Sequence, residues 1–222
     1  MGERSIRRAL LVAGVAAAAV SGACTRAESE RTASLPGKDL FTACVSCHGA
    51  DGHGNRKIGA PPIAGLPAWY VEAQLTKFRS GIRGTHPDDA EGMRMRPMAR
   101  QMMNEAEVKA VSGHVASLEA AHVAPTLQGG DAKAGATAFA TCMACHGPKG
   151  QGNEQLKAPP IAGQADWYLL AQLGKFRAGI RGANPKDNSA AMMRPMALAL
   201  RDEQAMLDVV THVASLPRQE KP

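Results

Sequence analysis

Cys44-Val45-Ser46-Cys47-His48 returns, 98 positions on, as Cys142-Met143-Ala144-Cys145-His146. Two thiols three positions apart on a helix share one turn, and the histidine that follows stands beside the second of them. Thiols so placed each add across a vinyl group of a porphyrin, and the adjacent imidazole then falls under its iron. Cys-x-x-Cys-His is accordingly the attachment signature of a c-type haem. A single copy also suits half of a zinc site or a redox-active dithiol. Two copies, each set in a longer matching segment, argue against both.

Working outward, the copies align without a gap from Cys44 to Leu118, with about half of the positions identical. Such an internal repeat predicts two structural units. The expected division is an export signal at 1–23, a polar tether at 24–34, a first haem domain at 35–120, a linker at 121–130 and a second haem domain at 131–217. Each unit is small for a folded core, and the whole chain holds only eight aromatic residues. A covalently held haem adds a large apolar surface to each core. Two haems c are the cofactors this reading requires.

Each copy follows one plan. A short helix carrying Gly37 and Phe41 (copy: Gly135 and Phe139) runs into the haem motif. A Gly-rich loop leads to Ala60-Pro61-Pro62-Ile63-Ala64-Gly65, repeated as Ala158-Pro159-Pro160-Ile161-Ala162-Gly163, and these glycines and prolines mark irregular chain. A helix near Ala68 to Arg79 follows, with copy Asp166 to Arg177. Another loop carries Arg83-Gly84 and Arg181-Gly182 and leads to a Met-rich stretch. The last helix, near Glu105 to Leu118 and Glu203 to Leu216, has apolar spacing of three to four.

The N-terminus reads as a bacterial export signal, with Arg4, Arg7 and Arg8 before the apolar run Ala9 to Val20. That run is too short to span a membrane. Cys24 stands where a bacterial lipoprotein signal places its acylated cysteine, although Ser21 occupies the position usually aliphatic. Two readings stand: an acylated Cys24 that tethers the protein to a membrane facing the periplasm, or ordinary cleavage after Ala23 that leaves it unanchored. The formal charge is +6. Removing the signal takes away three arginines and one glutamate, and two haems add four propionates, so the balance approaches zero. The basic residues form no dense run, so no nucleic-acid partner is indicated.

Of eleven methionines, only Met95/Met193 and Met98/Met196 are paired between the copies. A thioether is a soft ligand for low-spin haem iron, although any one Met also serves as core filler. Matched methionines at equal distance from matched haem motifs favour ligation by one member of each pair.

The whole chain after the signal resembles the dihaem cytochromes c4, two class I cytochrome c domains in tandem. The resemblance rests on both Cys-x-x-Cys-His motifs, the Pro-x-Ile-Ala-Gly loop, the Tyr-x-x-x-Gln-Leu helix from Tyr70 to Gly81 with its copy, and Met-Arg-x-x-Ala before the last helix. It implies an all-α fold of two related haem domains. It implies covalent attachment at Cys44, Cys47, Cys142 and Cys145, with His48/Met95 and His146/Met193 as axial ligands. Met98 and Met196 remain the alternative. The carbonyls of Pro61 and Pro159 would accept a hydrogen bond from the proximal histidines. The implied function is a periplasmic electron carrier, not an enzyme. Its donor would be a quinol-oxidising complex or a dehydrogenase, and its acceptor a terminal oxidase or reductase. The alternative is the haem subunit of a periplasmic dehydrogenase or flavocytochrome complex. Dihaem peroxidases match less well, since they need two unlike haems.

Three duplicated sets leave alternatives open. His114 and His212 replace an aromatic usual in such domains, and read either as packed histidines at the crossing of the first and last helices or as alternative iron ligands. Arg79 and Arg177 lead the duplicated cations as partners for haem propionates, against a solvated helix face. Trp69 and Trp167 read as core packing or as partners of a propionate.

Overall fold

The computed structural model describes residues 35–120 and 122–218; the expected signal, the tether and Cys24 lie outside the described residues. The first repeat forms α1 (Gly37–His48), α2 (Ala68–Ser80), α3 (Ala90–Ala99) and α4 (Glu105–Ser117). The second forms α5 (Ala132–His146), α6 (Asp166–Arg177), α7 (Asn188–Ala191), α8 (Met193–Ala199) and α9 (Glu203–Ser215). Among the described residues there is no strand, only the isolated bridges Asn55–Ala60 and Asn153–Ala158. The all-α architecture is the one expected.

The first and last helices of each repeat cross at a glycine. A methyl group on Gly37 would overlap the Ala110 carbonyl of α4, and one on Gly135 would overlap the Asp208 carbonyl of α9. This close crossing brings Phe41 against the His114 ring at 5.1 Å and Phe139 against His212 at 5.2 Å. The duplicated histidines therefore sit as packed rings at the crossing. Beneath them, Met102, Val108, Val111 and Val115 close around Phe41. Met206, Val209, Val210 and Val213 do the same around Phe139.

The Met-rich stretch, which sequence reasoning left without a helix, is helical. Asp89 and Asp187 start it by accepting the N–H of Gly92 and Ala190, each at 3.1 Å, the side-chain cap that a helix start requires. Pro97 lies inside α3. Its ring removes the helical bond to the Met93 carbonyl and crowds that carbonyl, whereas Pro195 lies in the first turn of α8, where no such bond is lost. In the second repeat the same stretch divides at Met192 into α7 and α8.

The two repeats meet through residues that are themselves duplicated. Lys77 pairs with Asp187 at 2.6 Å, and Lys175 pairs with Asp89 at 2.5 Å. Arg83 donates to Gln172 at 3.1 Å, and Arg181 to Gln74 at 3.3 Å. Residue i of one repeat thus meets j of the other while j meets i, the pattern of a two-fold contact inside one chain.

Candidate haem sites

The last turn of α1 brings Cys44, Cys47 and His48 to one end of the helix, and α5 does the same for Cys142, Cys145 and His146. None of the four is paired in a disulfide. Cys44 packs against the Phe41 cluster and Cys142 against the Phe139 cluster. Burial, helped by Cys47, pushes the Cys44 thiol up to about 11, and burial with Cys145 raises Cys142.

His48 and His146 are buried, at 5% and 6% exposure. Nδ1 of each donates to a proline carbonyl, Pro61 and Pro159 respectively, at 2.8 Å in both cases. A carbonyl only accepts, so Nδ1 carries the proton and Nε2 keeps its lone pair, the tautomer that a metal requires. Burial holds both imidazoles below their ordinary pKa, outweighing the proline hydrogen bond.

The paired methionines separate in their surroundings. Met193 packs on Phe176, Ala190 and Ala197, while Met196 is 38% exposed. In the first repeat Met95 and Met98 are both half-buried. The Met98 sulfur accepts from Gln101 at 3.6 Å, so it is turned along the surface of its own helix. These surroundings favour Met95 and Met193.

The duplicated arginines divide differently from the sequence-based choice. Arg177 spends its terminal nitrogens on the carbonyls of Leu200 and Arg201, at 2.6 and 2.8 Å. Arg79 reaches the Met103 carbonyl at 3.4 Å. Both tie the second helix of their repeat to the chain entering the last one. Arg83 and Arg181 instead lie at the contact between repeats. They line a cavity of about 370 Å³ between the loops Ile82–Pro87 and Gly179–Asp187. Their Nε–H groups are buried without a protein acceptor. Buried donors left open in this way suit a ligand that carries carboxylates. Tyr168 also joins this cluster, accepting from Arg83 at 3.4 Å. Burial pushes its hydroxyl up, but Arg83, Arg181 and Lys175 together hold it below its ordinary value. Trp69 and Trp167 stand edge-on to Tyr70 and Tyr168, at 5.7 and 6.0 Å.

Two thiols on a helical turn, a neutral imidazole oriented by a carbonyl, a half-buried thioether and open buried donors form a donor set that fits haem c. Among the described residues, no cluster of three or more His, Cys, Asp or Glu stands ready for a metal held by protein alone. The fold and sites together define a protein with two c-type haem domains. Residues 34–119 and 132–217 each match the family described as Cytochrome c. The chain belongs to that family and carries two covalent haems c.

A thiosulfate dehydrogenase electron acceptor of Stutzerimonas stutzeri is 32% identical over 94% of this chain and 95% of its own length. The solved cytochrome c4 of Acidithiobacillus ferrooxidans superposes with a TM-score of 0.65 at 27% identity, over 79% of this chain and 99% of that one. The thiosulfate dehydrogenase of Marichromatium purpuratum superposes with a TM-score of 0.64 at 32% identity over 82% of this chain. The present chain spans 40% of that protein's length. The protein is a cytochrome c4-like, dihaem electron-transfer protein whose partners are redox proteins.

Proposed function

We propose that the chain is a periplasmic carrier passing electrons between respiratory complexes through two His/Met-ligated haems. When bound, haem c supplies a one-electron iron couple. Cys44, Cys47, Cys142 and Cys145 hold it. His48 and His146 face it with Nε2, and Pro61 and Pro159 fix the ring planes. Met95 and Met193 would supply the thioether ligands, a ligand type that raises the reduction potential. The observation that carries this reading is the equality of the two sites, with the same 2.8 Å histidine–proline bond in both. Two alike histidine sites, each with a methionine of the repeat to fill the remaining position, suit electron transfer, whereas a peroxidase needs one open position.

The proposed donor is a quinol-oxidising complex or a dehydrogenase, and the proposed acceptor a terminal oxidase or reductase. The Stutzerimonas relative favours a second form of the same role, the electron-accepting partner of a periplasmic dehydrogenase. Co-purification with a dehydrogenase from a native membrane and periplasm preparation would select that form. A tether at Cys24 is tested by palmitate labelling, and an unlabelled mature protein removes it.

The ligands are tested on the holoprotein. Met95→Ala is expected to abolish about half of the methionine-to-iron charge-transfer absorbance, because one of two haems loses its thioether. Met98→Ala should leave it intact. The reverse result would transfer the role to Met98, and a high-spin ferric spectrum in the wild type would sink the carrier reading.

A further inference from the structure

The residues that the two repeats share serve sites that the two repeats share. Those they do not share distinguish one end of the molecule from the other. The clearest such difference lies on the helix that carries the proposed axial methionine. In the first repeat, Met93, Arg96 and Pro97 of α3, with Arg100 and Gln101 just past its end and Gly84, line an open groove of about 460 Å³. Arg94 flanks this face and is 58% exposed. At the positions of Arg94 and Arg100, the second repeat has Met192 and Leu198, exposed by 67% and 54%.

The arginines of this stretch, Arg94, Arg96 and Arg100, outnumber the acid beside them, Glu91. Asp89 is committed to Lys175 across the contact between repeats, and Glu91 binds the same Lys175 at 2.7 Å. Glu91 is only 3.9 Å from one nitrogen of Arg94, too far for a direct hydrogen bond. Arg94 and Arg100 steady themselves on backbone instead, donating to the Ile58 carbonyl at 2.7 Å and the Arg79 carbonyl at 3.3 Å. These bonds orient the guanidinium groups without adding negative charge: Glu91 screens Arg94 in part as a loose ion pair, and among the described residues no carboxylate pairs with Arg100. The Arg96 Nε–H is buried without a partner.

We propose that the exposed surface of α3 and of the residues just past its end, carrying Arg94 and Arg100, is the docking face for a redox protein with an acidic surface. The corresponding face of α8 is not, so the two ends of the molecule meet chemically different partners. The proposal rests on the carrier reading, since a partner seated on α3 lies one helix from the haem that Met95 would ligate. The composition suits a protein partner. Arg and Met are enriched at protein interfaces where Lys is depleted, guanidinium groups grip carboxylates in bidentate fashion, and the exposed Met93 adapts to a shaped surface.

The test exchanges the two faces in the haem-loaded protein. Arg94→Met with Arg100→Leu gives the first repeat the residues of the second, and Met192→Arg with Leu198→Arg does the converse. The probe is an acidic flavodoxin hydroquinone, with reduction of the haems followed by stopped flow. At low salt the first exchange should slow reduction about tenfold and the converse exchange should speed it, as expected for steered association. At high salt the three proteins should converge. Unchanged rates, with two normal reversible couples in a redox titration, overturn the docking face while leaving the carrier reading intact. Absence of two reversible couples overturns the carrier reading and the face with it. Binding of phosphatidylglycerol vesicles that disappears in the first exchange, with the flavodoxin rate unchanged, overturns the assignment in favour of a membrane surface.

Discussion

The two repeats agree at the proximal histidines, at the crossing of their first and last helices and in the lysine–aspartate pairs between them, and differ around those shared points. The histidine–proline bond, the helix-capping aspartates, the glycine crossings and the lysine–aspartate pairs occur in both. The differences lie elsewhere. The helix before the last one is continuous in the first repeat and divided at Met192 in the second. Lys157 holds a left-handed φ of 55° where the first repeat has Gly59 at 70°. Asp166, on the second repeat alone, fastens the linker to the second helix. A shared cofactor and a two-fold contact constrain both copies alike, whereas an outward face or a tether constrains only the copy that has it.

The largest effect should come from the constraint that both copies share. Gly37→Ala and Gly135→Ala each place a methyl group onto a backbone carbonyl that cannot move without separating the crossing helices. Each should destabilise its own repeat by about 3 kcal/mol, and by similar amounts, because overpacking at a helix contact is not relieved by a rotamer change. Gly113→Ala is the control. Nothing lies within 4 Å of its added Cβ, so helix propensity alone should stabilise α4 by about 0.5–1 kcal/mol. Denaturant unfolding followed by haem absorbance reads all three. Unequal losses at Gly37 and Gly135 would show that the two crossings are not equivalent.

A smaller effect should be confined to one copy. Asp166 is buried, and its carboxylate accepts Thr126 Oγ1 at 2.8 Å, the Thr126 and Leu127 N–H groups at 2.5 and 2.6 Å, and its own helix's Trp167 N–H at 2.7 Å. The first repeat has Ala68 at this position. Burial pushes the Asp166 carboxyl up, but the Leu127 and Thr126 donors outweigh it and hold the group below its ordinary 3.8. A depressed pKa gives stability that is present above 3.8 and lost as pH falls through the folded value. Asp166→Ala should cost the second repeat about 2 kcal/mol near neutrality. It should also remove part of the acid sensitivity of that repeat. Equal losses in both repeats would mean that the linker supports the whole molecule.

Much of this was legible in the residues. Cys-x-x-Cys-His fixes two thiols and an imidazole on one turn, and the gapless repeat singles out the paired methionines. The repeat also marked Asp89/Asp187 and the duplicated cations, but not their use. A sequence shows that Lys77, Lys175, Arg83 and Arg181 recur, and it does not show that each crosses to the other copy. Pairings between residues about a hundred positions apart depend on how two finished domains dock, and no local spacing encodes that. For the same reason Arg79 and Arg177, matched to carboxylates by their chemistry, turn out to hold carbonyls. The helix at the Met-rich stretch was hidden by Pro97 and by three glycine and proline breaks nearby, while its start signal at Asp89 was present.

The smallest of these effects tests whether the contact between repeats is as symmetrical as its residues suggest. Lys77 answers to Asp187 and Ser189, whereas Lys175 answers to Asp89 and Glu91. Lys175→Met therefore strands two carboxylates and Lys77→Met only one. Removing one member of a buried pair is strongly destabilising, but Asp89 and Asp187 each keep a helix N–H, and Glu91 is 46% exposed and so partly screened by solvent. The loss should be about 1.5 kcal/mol for Lys175→Met and less for Lys77→Met. The Lys175 hydrogen bond, with burial opposing it, holds the Glu91 carboxyl below its ordinary 4.5. Its share of the contact is thus present above 4.5 and disappears as pH falls through the lowered value. Glu91→Gln should flatten that part of the acid titration in the wild type and change nothing in Lys175→Met, where the partner is already gone. If Glu91→Gln weakens both backgrounds equally, the carboxylate acts through Arg94 rather than Lys175, and the asymmetry of the contact lies in the outward face instead.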